Sequence, residues 1–76
     1  MNETKYKNLV GEKVRALRRS ADLSQEVLAS RCGIFRTYLS RIESGAANPS
    51  LGVLVALADA LGVEPHVLLI ATAPTH

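Results

Sequence analysis

Glycines at 33, 45 and 62 cut the apolar part of this chain into stretches too short for any long helix after residue 32, and this spacing limits the fold more than any other feature of the sequence. Glycine enters the left-handed conformation that ends a helix without steric penalty. Helix-start signals sit opposite these stops. Ser24 precedes Gln25 and Glu26, so its hydroxyl can accept a free backbone N–H while Glu26 complements the helix dipole. Asn48-Pro49-Ser50 forms a loop and then a start, and Pro65 can open a final turn. Ahead of them Val10, Val14 and Leu17 recur at helical spacing, although Gly11 weakens that helix. The pattern predicts five short helices, over about residues 6–20, 25–31, 35–44, 50–61 and 65–70. Residues 1 to about 7 are expected to be loose and the tail from Ala71 to be frayed, leaving an ordered core of about 6–70 in one domain spanning 1–76.

The second and third helices are joined by about three residues around Gly33, which is a helix-turn-helix arrangement. At about 100° per residue, Phe35, Leu39 and Ile42 fall within about 60° of one another on the third helix. That stripe is expected to face the core. Arg36, Thr37, Ser40 and Arg41 occupy the other side, with Tyr38 on its flank. An arginine fork matches the two acceptors of guanine, a threonine methyl can meet thymine, and no carboxylate on this face would repel phosphate. An ordinary solvated helix shows the same residues, so the face alone leaves both readings open.

Charge is distributed unevenly. Nine basic residues oppose seven acidic ones, and no Lys or Arg follows Arg41. An anionic partner therefore suits the first half and a protein partner the second. On the fourth helix Leu51, Leu54, Leu57, Ala58 and Leu61 form the expected inward stripe. Val53 and Val55 widen it to about 200° of arc, where a surface helix needs about 100°. With Val63, Val67, Leu68, Leu69 and Ile70, this exceeds what one small core needs and points to a homodimer interface, unless flanking loops cover it.

Catalysis is not expected. His66 and His76 lie far from the lone Cys32, so no zinc spacing exists, and no nucleophile triad, P-loop or dinucleotide motif appears. No metal and no cofactor are predicted. Cys32 falls beside Leu28 and reads as a small core residue. One cysteine, no signal-peptide pattern and no apolar run of about 18 residues predict a soluble cytoplasmic protein without a membrane partner.

Several motifs agree in order and spacing with one known family. Leu17-Arg18, Leu23-Ser24-Gln25-Glu26, Leu28-Ala29, Gly33-Ile34, Tyr38 to Glu43 followed by Gly45, Asn48-Pro49-Ser50-Leu51 and Ala60-Leu61-Gly62-Val63 resemble the Cro/repressor-type (XRE-type) helix-turn-helix regulators over roughly residues 9–70. Arg36-Thr37-Tyr38-Leu39-Ser40 further resembles a run found in controller proteins of restriction–modification systems. The resemblance implies an all-α, lambda-repressor-like fold. It also implies a homodimeric transcriptional regulator on a pseudo-palindromic double-stranded operator, with RNA polymerase as a candidate partner. It assigns Gln25 to a backbone phosphate, Arg36, Thr37, Ser40 and Arg41 to bases, and Tyr38 and Asn48 to DNA or to packing and turn roles. Arg18 and Glu43 are implied to form a structural salt bridge. Phe35 departs from the Ser or Asp common before the third helix. An antitoxin, or a protein-interaction module of the same fold that needs a protein partner, is the competing reading.

Overall fold

The computed structural model describes residues 2–71. It holds four α-helices, α1 (Glu3–Ser20), α2 (Gln25–Cys32), α3 (Arg36–Glu43) and α4 (Leu51–Leu61), followed by a 3₁₀ segment, Pro65–Leu69. The expected fifth α-helix is therefore a 3₁₀ turn, and the count among the described residues is four. A segment of five residues that opens on a proline allows too few i→i+4 bonds to repay helix nucleation, so the tighter turn forms. From Asn2 onward the start of the described residues is not loose. Asn2 Oδ1 accepts from the Lys5 amide at 3.0 Å and caps α1, which begins three residues earlier than the apolar spacing suggested. The tail expected to fray, from Ala71 on, falls on residues 72–76 beyond its first residue, and these lie outside the described residues.

The helix ends follow local chemistry. Ser24 Oγ accepts from Val27 N at 3.1 Å and Ser50 Oγ from Val53 N at 3.2 Å. Gly33 closes α2 in the left-handed region at φ 68°, which turns the chain sharply into α3. α1 packs against α3, and α2 packs against both α3 and α4. The 3₁₀ segment covers α1 and α4. Val14, Leu28, Leu39, Ile42, Leu57 and Leu68 are fully buried between these elements. Gly11 is buried where α1 meets the end of α3.

Three apolar expectations are corrected here. Phe35 does not face the core and is 83% exposed. It is the N-cap of α3, with extended φ −75° and ψ 145°, so the helical rotation used to place it does not apply to it. Leu51 is also out in solvent, at 74% exposed. It opens α4, whose buried residues, Leu57 and Ala58, lie in the second half of the helix. Leu68, expected at an interface, is core, since no part of it remains exposed.

Candidate nucleic-acid interface

α2 and α3 position a face whose charge is set by one buried acid. Glu43 is the single carboxylate on α3, and its side chain is 4% exposed. Arg18 of α1 reaches it with a two-pronged grip, Nε to Oε2 at 2.7 Å and Nη2 to Oε1 at 3.0 Å. The third prong of the guanidinium, Nη1, donates to the Leu23 carbonyl at 2.9 Å, which anchors the turn before α2. Hydrogen bonding to Glu43 raises the Arg18 pKa, partial burial opposes that, and the charge of Glu43 adds to the rise. The negative charge on α3 is thus neutralised inward. No buried side-chain polar atom lacks a partner among the described residues.

Gln25, the first residue of α2, joins the same cluster. Its Nε2 donates to Glu43 Oε1 at 3.1 Å. An amide nitrogen carries two hydrogens, so this bond orients Gln25 and leaves a second donor.

On α3, Arg36, Thr37 and Arg41 are exposed, Ser40 and Tyr38 are half-buried, and Tyr38 packs against the core. Arg41 leans on the following loop, with Nη2 3.4 Å from the Ala46 carbonyl, a long bond that a stronger acceptor would displace. Asn48 stands apart from this face in one respect: its Nδ2 donates to Glu3 Oε1 at 2.7 Å and so ties the α3–α4 loop to the first turn of α1. The sequence carried no sign of that contact, because it joins residues 45 positions apart through two exposed polar groups.

Among the residues expected at an interface, Val55 and Ile70 are exposed at 39% and 51%, while Val53, Val63 and Val67 are half-buried. Leu69, 44% exposed, adds to this apolar surface. Cys32 packs half-buried against the core, with Sγ 3.6 Å from the Ala56 carbonyl, and burial raises its pKa. No group of His, Cys, Asp and Glu side chains that could hold a metal occurs among the described residues, and none of their helices is long and apolar enough to cross a membrane.

Comparison with known proteins gives a consistent picture. A family described as a helix-turn-helix domain matches residues 9–69. Control protein C.BamHI from Bacillus amyloliquefaciens is 48% identical over 62 residues, covering 80% of this chain and 76% of that protein. The crystal structure of the restriction–modification controller protein C.AhdI from Aeromonas hydrophila superposes with a TM-score of 0.79 at 40% identity, over 82% of this chain and 94% of that one. The P22 c2 repressor, crystallised with a synthetic operator, superposes with a TM-score of 0.76 at 32% identity, over 79% of this chain and 91% of that one.

Proposed function

The chain belongs to the helix-turn-helix family of DNA-binding transcriptional regulators, and we propose that it works as a cytoplasmic homodimer that reads a pseudo-palindromic operator with the exposed face of α3. The observation that carries this reading is the inward neutralisation of Glu43 by Arg18, which leaves Arg36, Thr37 and Arg41 on a face of α3 with no exposed carboxylate. In this reading Arg36 and Arg41 contact base edges, and Thr37 and Ser40 add hydroxyl or methyl contacts. Tyr38 touches the DNA from the flank of the same helix. Gln25 holds a backbone phosphate with its second amide hydrogen, aided by the positive end of α2. Asn48 adds a phosphate contact once it exchanges Glu3 for the DNA backbone.

The exposed Val55 and Ile70, with Val53, Val63 and Val67 beside them, form the dimer contact. A twofold dimer sets two copies of α3 about 34 Å apart, one turn of DNA. Within the family, similarity to control protein C.BamHI and to the restriction–modification controller protein C.AhdI favours a controller role for this chain. Genes for an endonuclease and a methyltransferase beside its own are expected on that reading.

Selection from a random double-stranded DNA pool at about 150 mM salt tests the proposal. Enrichment of an inverted repeat with half-sites about 10 base pairs apart supports a dimeric sequence reader. A folded protein that enriches no sequence would overturn it.

A further inference from the structure

Phe35 stands where the rest of the fold would place something else. It is the N-cap of α3, and it makes no side-chain cap bond. The three other α-helices are capped by Asn2, Ser24 and Ser50. A small polar residue at position 35 would stabilise α3 by accepting one of its open amides. The chain forgoes that and exposes a phenyl ring instead, the most exposed of its large apolar side chains among the described residues. At 83% exposed, the ring gains little burial in return. Such local rule-breaking is expected at functional positions.

The surroundings indicate what the ring meets. Phe35 directly precedes Arg36 at the start of α3, where the Phe35 carbonyl accepts from the Tyr38 and Leu39 amides and the earlier backbone N–H groups have no intrahelical partner. The ring is therefore continuous with a cationic, amide-rich edge that suits an anion-bearing surface better than an apolar protein one. DNA presents one sizeable apolar group in its major groove, the thymine C5-methyl, and a phenyl ring is a suitable contact for it.

We propose that Phe35 is a specificity-determining residue that packs against a thymine methyl in the major groove, next to the base pair read by Arg36. This rests on the operator-reading function proposed above and extends it to a residue outside the polar face.

The test uses the best duplex selected by the wild-type chain, with each thymine replaced in turn by uracil to remove only the methyl. One replacement is expected to weaken wild-type binding about fourfold, the worth of one buried methyl. The same replacement should leave Phe35→Ala binding unchanged, and Phe35→Leu should restore part of the loss. Phe35→Ser should raise the thermal midpoint by capping α3 while lowering affinity, and a purely structural role cannot give these opposite signs. If Phe35→Ala and wild type respond alike at every uracil, or select the same sequence with equal affinity, the inference is overturned. If Arg36→Ala loses affinity in that case, operator reading survives and only the role of Phe35 is lost. A wild-type chain that selects nothing overturns both.

Discussion

A Cβ on Gly11 of α1 would lie 2.5 Å from the carbonyl oxygen of Ile42 in α3, and 2.7 Å from that of Glu43. Both obstacles are backbone, so no rotamer change relieves them. The same two helices carry Arg18 and Glu43. The glycine thus sets the spacing at which the guanidinium reaches the carboxylate.

Gly11→Ala is accordingly expected to destabilise the domain, although alanine favours helix by about 1 kcal/mol. Overpacking of this kind costs about 1–3 kcal/mol before that gain is subtracted. Chemical denaturation would show a lower midpoint. A higher one would mean that α1 and α3 can part without loss.

Arg18→Met leaves the Glu43 carboxylate in the interior with Gln25 alone. The expected loss is about 3 kcal/mol, the low end for a broken buried pair, because Arg18 is only partly buried. Replacing both partners, Arg18→Met with Glu43→Leu, should recover much of the loss, since no unpaired charge remains. A double variant as unstable as the single one would argue against the charge as the cause.

Arg36→Ala and Arg41→Ala are each expected to weaken binding to the selected operator by about 1–3 kcal/mol, with little change in thermal midpoint because both side chains are exposed. Titration of labelled duplex beside a melting curve separates the two effects. Full affinity in the double variant would displace the reading face from α3.

Ile70→Asp and Leu68→Asp should behave differently despite their proximity in the chain. Ile70 is half exposed, so the charged variant should stay folded and sediment as a monomer. Leu68 has no exposed surface, so its variant should lose the fold itself. Sedimentation and circular dichroism together would reveal either departure.

Cys32 should react slowly with a thiol reagent at pH 8. Burial raises its pKa, so the thiolate fraction at that pH is below that of a free thiol. Reaction at the rate of an unfolded control would show that the α2–α4 contact opens readily.

Much of this architecture is legible in the sequence because capping joins residues three or four apart. Ser24, Gly33, Ser50 and Gly62 each settle a helix end with groups within their own turn, so the sequence alone determined where α2 and α4 start and stop. It also marked the polar face of α3, since that depends only on helical rotation. Tertiary structure alone decided what lies opposite each end. Phe35 and Leu51 read as core by periodicity but stand in solvent, because burial requires a neighbouring element and rotation about a helix axis does not supply one. The reverse holds for Leu68, which the 3₁₀ segment carries into the interior between α1 and α4. The tie from Asn48 to Glu3, and the close approach that Gly11 permits, join residues far apart in the chain. Their energies depend on distances that only the assembled fold defines.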